Sequence, residues 1–182
     1  MSLLLQFIIN NTNPLFKELN VGGPIRVYRC SEVSDLSEGA RLALWSMRAL
    51  ATGTREALTV RWKFEHEFGA TAGDLFADLT RFMTALNAHC RREISLAPIG
   101  CEKLMADERS LVAVLGAAQA EDMECLMAHL RWLLVGGPQS TIVLAAMRLT
   151  ARLAGLGCPV EFPAAVVSPV KRGTAAANLM AV

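Results

Sequence analysis

The chain has few aromatic and few charged residues, which make up 6% and 19% of its 182 residues. Its apolar residues reach 53% and are mainly alanine, leucine, valine and methionine. Because bulky aromatic residues favour sheets while alanine, leucine and methionine favour helices, this composition argues against a sheet-rich fold. The length is that of one domain with tails. We therefore expect a close-packed helical protein.

The chain also has no excess of either charge. Its 18 basic and 17 acidic residues are interspersed and leave a net charge of +1. The protein therefore has no strong positive electrostatic field that would attract nucleic acid or anionic lipid non-specifically. The segment ECLMAHLRWLLV has too few basic or amide side chains to read a DNA groove. Nucleic acid is therefore not expected as a partner.

Long hydrophobic runs are absent as well. The start, MSLLLQFIINNTNPLF, has a short apolar run but neither a basic region nor a small-residue cleavage motif, so it does not resemble a signal peptide. The longest candidate span, Trp132 to Met147, lacks charge, but it is broken by Gly136-Gly137-Pro138 and falls below the ~18 apolar residues of a membrane helix. We predict no membrane segment and no membrane partner.

The five cysteines are odd in number and widely scattered, unlike the dense spacing of a secreted disulfide scaffold. They indicate a reduced, cytoplasmic protein. Metal-ligand spacing is missing too, because Ala70 stands where an HExxH motif starting at His66 needs its second histidine. Cys125 and His129 lie one turn apart, but both flank an apolar stripe. We predict no metal and no cofactor.

Helical periodicity is the strongest signal in the chain. It predicts six helices within residues 37–157, an irregular arm over 1–36 with one short strand at IRVYR, and an extended tail over 158–182. Short connections predict a compact antiparallel bundle or array. The expected fold is all-α.

Specific signals place the ends of these helices. The predicted starts are caps at Ser37 and Thr54, a Thr71–Asp74 capping box and a first-turn Pro138. Ile94 to Met105, which contains Pro98 and Gly100, is predicted to be a loop. On the sixth helix, Arg148 and Arg152 are assigned to the face opposite the apolar one. The fifth helix is expected to be the structural centre, because it has the most complete apolar stripe: Met123, Leu126, Met127, Leu130, Leu133 and Leu134.

Cys101 is the best candidate for a reactive group. Lys103 and the helix that follows could together stabilise a thiolate. A nucleophile also needs a base, however, and His66, His89 and His129 lie on other predicted helices. The simpler interpretation is a helix entrance in which the carboxylates of the first turn, Asp107 and Glu108, stabilise exposed amides. We assign no catalytic, cofactor-binding or metal-binding residue.

The stretch ISLAPIGCEKLMADERSLVAVLGAAQ, with the upstream TRFMTALNAHCRRE, resembles a small bacterial family of uncharacterised helical proteins. The resemblance covers Leu36 to Phe162, and its most specific part is Ala97-Pro98, Cys101 and Ala106-Asp107-Glu108. It implies a helical fold and no known activity. Relatives often have further cysteines and a proline just after the equivalent of Cys101. This chain instead has Ile99 and Gly100 before Cys101 and Glu102 after it, which argues against a thiol or metal function for the loop.

These observations favour a non-enzymatic cytoplasmic helical module that acts through protein–protein contact, by self-association above all. Self-association is expected because the chain has more apolar residues than one helical core needs, which would leave some of them for a contact surface. The alternative is a protein that binds a small molecule or uses a thiol, with a pocket between helices. In that case Cys101, His89 and His129 are the residues to examine.

Overall fold

The computed structural model describes residues 32–161, and helices dominate them. The predicted all-α fold class is confirmed, and the expected strand at residues 25–29 lies outside the described residues. Extended chain contributes two isolated β-bridges, Glu32 with Lys103 and Cys90 with Leu134. The α-helices are α1 (Glu38–Thr52), α2 (Thr54–Phe68), α3 (Ala72–His89), α4 (Ala106–Gln119), α5 (Met123–Leu133) and α6 (Ser140–Gly155).

Helix α4 lies at the centre of the fold. It packs against α1, α5 and α6, while α3 packs against α2 and α6. All eight residues of 111–118 are buried, whereas only three residues of α5 are. The prediction that the fifth helix is the structural centre is therefore wrong. Met123 is 43% exposed, so the stripe of α5 is only partly core.

The predicted helix ends were partly right. Ser37 caps α1 by accepting a hydrogen bond from the amide of Ala40, and residues 94–105 form a loop as expected. Thr54 is instead the first residue of α2, and Gly53 occupies the cap position. The Thr71 hydroxyl donates to the Phe68 carbonyl, so the predicted capping box does not form. Helix α6 starts at Ser140, two residues after Pro138.

The chain after α6 returns to the start of α1. The Ser37 hydroxyl donates to the Pro159 carbonyl at 3.1 Å and accepts from the Glu161 amide at 3.0 Å. Gly39 allows this close approach, because a Cβ atom there would lie 2.0 Å from the Cys158 carbonyl oxygen. Val160 is buried in the same contact. We call residues 158–161 together with Ser37 and Gly39 the terminal contact.

Candidate functional site

A buried ion pair connects α1 to α4. The Nε and Nη2 atoms of Arg48 lie 2.7 and 2.9 Å from the two carboxylate oxygens of Glu108. Arg48 is 4% exposed and Glu108 is fully buried. A planar guanidinium meeting a carboxylate through two parallel hydrogen bonds is the strongest geometry available to such a pair.

The same two side chains hold the loop over residues 94–105. Arg48 donates to the carbonyls of Cys101 and Lys103 at 2.6 and 3.0 Å. Glu108 accepts from the amides of Ala97 and Met105, both at 2.8 Å. One ion pair therefore provides hydrogen-bond partners for four backbone groups of the loop. We call Arg48, Glu108 and these four backbone groups the loop anchor.

Asp107 makes a second, more peripheral attachment. It binds the guanidinium of Arg92 through both oxygens, at 2.7 and 2.5 Å, and accepts from the Ser95 amide at 2.8 Å. Asp107 is buried while Arg92 is half exposed. The hydrogen bond to Asp107 raises the pKa of Arg92 above its ordinary value, against the opposing effect of partial burial.

The arrangement of hydrogen bonds gives both carboxylates a structural role. Glu108 receives four N–H groups on its two oxygens, and Asp107 receives three. A general acid or base needs a lone pair or proton directed at a substrate, and these lone pairs already have partners. The predicted first-turn position of both residues is confirmed, but the partners Arg48 and Arg92 were missed.

Cys101 lies at the edge of the loop anchor. Its amide donates to the Pro98 carbonyl in a turn where Gly100 has a φ of 84°. Its half-buried thiol lies 3.8 Å from the Lys103 carbonyl oxygen. In this contact the thiol is the donor and the Lys103 carbonyl oxygen the acceptor. The contact agrees with the interpretation of Cys101 as part of a helix entrance.

The three histidines lie on three different helices: His66 on α2, His89 at the end of α3 and His129 on α5. Burial lowers the pKa of His129 below its ordinary value. Cys125 and His129 are both half-buried on α5. Within residues 32–161, no group of three or more His, Cys, Asp or Glu side chains is placed to hold a metal ion.

A third buried carboxylate joins α3 to α6. Asp78 is 1% exposed and accepts from Arg152 of α6 at 2.5 Å and from Arg81 at 2.8 Å. Arg152 also contacts Asp74, and the hydrogen bond to Asp78 is the main cause that raises the pKa of Arg152. Arg152 therefore turns toward α3, although the sequence predicted a place opposite the apolar face. The sequence did not indicate that Asp78 is buried and paired, because it looks like any other polar residue of a helix.

Two large apolar side chains of α2 point to solvent. Leu58 is 63% exposed and Trp62 is 66% exposed, while Val60 and Phe64 of the same helix are buried. The indole of Trp62 stacks on the imidazole of His66, with ring centroids 5.6 Å apart. Arg55 and Glu65 lie on the same line of the helix surface as Leu58 and Trp62, by their spacing, and are also exposed. We call Arg55, Leu58, Trp62 and Glu65 the α2 stripe.

Sequence reasoning treated this side of α2 as a solvated face with ion pairs. Both predicted pairs form: Arg61 Nε lies 3.0 Å from Glu65, and Lys63 contacts Glu67. The apolar part of the face was missed. Its signal was present in the sequence, because Leu58 and Trp62 fall out of phase with the core positions Val60 and Phe64.

No protein-family model matches the chain, and neither a curated protein nor a solved structure is similar to it. The resemblance to a bacterial family of uncharacterised helical proteins therefore stays a prediction. In the part of the chain that the structure describes, no helix is both long and apolar enough to cross a membrane.

Proposed function

We propose that the protein is a non-enzymatic cytoplasmic module that acts through protein–protein contact, and that the α2 stripe is its contact surface. The exposure of Leu58 and Trp62 on adjacent turns supports this proposal. Tryptophan is usually well buried in a folded chain, and it is enriched among the residues that contribute most to protein interfaces.

The surroundings of Trp62 also suit a contact. Arg55, Arg61 and Glu65 provide charged groups around an apolar centre, and their side chains are exposed. Interfaces commonly combine an apolar centre with a polar rim of this kind. By contrast, the carboxylates of Glu108 and Asp107 are buried and already accept hydrogen bonds, so they offer a partner no exposed surface.

The alternative inferred from the sequence, a small-molecule or thiol-dependent site at Cys101, His89 and His129, stays a prediction. The described geometry favours it less, because the Cys101 thiol contacts a backbone carbonyl. The α2 stripe is therefore the surface to test first.

The test is site-specific photo-crosslinking in intact cells, with a photoreactive phenylalanine replacing Trp62 in the full chain. We expect a discrete adduct whose partner peptide can be identified by mass spectrometry, and we expect Leu58→Lys to abolish it. The matched control places the same probe at Leu144, an exposed leucine of α6. Adducts that are absent at position 62, or equally strong at position 144, would contradict the proposal.

A further inference from the structure

The α2 stripe has an order of charges that makes it complementary to itself. Its members follow at steps of three, four and three residues, which places them along one line of the helix surface. A basic residue, Arg55, stands at one end and an acidic residue, Glu65, at the other. Leu58 and Trp62 lie between them, and all four are exposed.

We propose that a second copy of this chain occupies the α2 stripe, with the two α2 helices antiparallel around a two-fold axis. This inference rests on the proposed function and names its partner. The axis crosses the stripe midway between Leu58 and Trp62. Each Leu58 then packs against Trp62 of the second copy, and each Arg55 faces Glu65 of the second copy, as a two-fold contact requires.

Charge complementarity decides the orientation. A parallel pairing would bring Arg55 onto Arg55 and Glu65 onto Glu65, and like charges placed opposite one another are unfavourable. The antiparallel pairing replaces both repulsions with two Arg–Glu pairs. Glu65 already pairs with Arg61 of its own chain, but both side chains are more than half exposed. An exposed pair of this kind contributes little, so sharing Glu65 with Arg55 of the second copy costs little.

The length of the stripe sets the strength of the contact. From Arg55 to Glu65 the helix rises about 15 Å, at about 1.5 Å per residue. An interface of this length belongs to the small class, below about 1,200 Å² of total buried surface. We therefore expect a dimer that forms and dissociates with concentration rather than a permanent one.

Charge reversal tests the pairing directly. We expect Arg55→Glu alone and Glu65→Arg alone each to raise the dimer dissociation constant at least about tenfold, because each places like charges opposite one another twice. The double variant R55E/E65R restores opposite charges and should return to within a few-fold of wild type. Sedimentation equilibrium of the purified full chain measures all four proteins, and circular dichroism checks that each is folded.

Two controls sharpen the measurement. Leu144→Lys removes an exposed apolar side chain outside the stripe and should leave the dissociation constant unchanged. An equimolar mixture of the two single variants should form a heterodimer, since the glutamates at positions 55 and 65 of one chain then meet the arginines at positions 65 and 55 of the other. A wild type that stays monomeric at every accessible concentration, or an Arg55→Glu variant that dimerises normally, overturns the inference.

Crosslinking separates this inference from the proposed function. Purified chain with a photoreactive phenylalanine at position 62 is mixed with isotope-labelled chain. Mixed-isotope links between two α2 helices support the second copy as occupant. Links within one chain, to residues 1–31 or 162–182, show that a segment of the same chain occupies the stripe and overturn the pairing. If the purified chain is monomeric and the probe in cells forms a discrete adduct with a different protein, self-pairing is overturned, but the proposed function is supported.

Discussion

Glu108 is fully buried and accepts four hydrogen bonds, two from Arg48 of α1 and two from amides of the loop over residues 94–105. A buried charge of this kind is tolerated because its partners are all in place. If the charge is removed while the shape is kept, Arg48 is left as an uncompensated buried cation. A new N–H donor also meets the amide of Ala97 or Met105. Both effects act against the folded state.

We predict that Glu108→Gln lowers the free energy of unfolding by ~3–5 kcal/mol. Urea denaturation followed by circular dichroism measures the change. Glu102→Gln is the matched control, because Glu102 belongs to the same loop but its side chain is exposed, and it should change stability by less than ~0.5 kcal/mol. Equal effects of the two substitutions would show that the loop anchor does not stabilise the fold.

At the scale of single residues, the sequence predicted where the acidic residues lie in the helix, but it did not predict which residues they contact. It placed Asp107 and Glu108 in the first turn of α4, because acidic residues after a proline- and glycine-containing loop mark a helix start. It could not identify Arg48, which is 60 residues away from Glu108 in the chain. Only the packing of α1 on α4 brings this pair together, and no local pattern encodes that packing.

At the scale of elements, α4 and α5 show how a helical pattern can be misjudged. A clean stripe such as that of α5 is the mark of an amphipathic helix, with one face in the core and one in water. Helix α4 contains LVAVLGAA, which is apolar on every side and therefore buried on every side. Its small residues Ala113, Gly116 and Ala117 are buried as well. The central helix was visible in the sequence as the one without a polar face.

We predict that Leu115→Ala costs ~2–5 kcal/mol of stability, because it removes a fully buried side chain and leaves a cavity in the centre of the fold. The same range is expected for Leu130→Ala. The matched control is Leu144→Ala, the same substitution at a leucine that is 59% exposed, with an expected change within ~0.5 kcal/mol. Thermal and urea denaturation measure the loss of stability. Equal losses for Leu115→Ala and Leu144→Ala would contradict the conclusion that α4 is the central helix.

At the scale of the whole molecule, the sequence predicted the fold class, six helices and the loop before α4. Periodicity and helix-breaking residues are local signals, so these features could be predicted. The packing order of the helices could not, since it depends on which apolar faces meet. The α2 stripe is an intermediate case. The phase of Leu58 and Trp62 against Val60 and Phe64 indicates that they leave the core face of α2, but elements distant in the chain decide whether that second face is covered.

The terminal contact gives a prediction that involves both ends of the described chain. Gly39→Ala should lower the free energy of unfolding by ~1–3 kcal/mol, since its new Cβ would overlap the carbonyls of Cys158 and Pro159. Gly73→Ala is the matched control, because that glycine of α3 has open space around it and no positive φ. It should be neutral or stabilising by ~0.4–1 kcal/mol. Urea titration measures the stability of both variants. If Gly39→Ala and Gly73→Ala are destabilised equally, the close approach of Cys158 and Pro159 to Gly39 is contradicted.

The terminal contact also bears on the order in which the molecule folds. Ser37 bonds to residues that are 122 and 124 positions away in the chain. Closing so long a loop costs entropy before any contact energy is gained, and local helices form much faster. Packing of α1 through α6 must therefore shorten the distance first. We therefore expect the hydrogen bonds from Ser37 to Pro159 and Glu161 to form late in folding, after the local cap bond between Ser37 and Ala40.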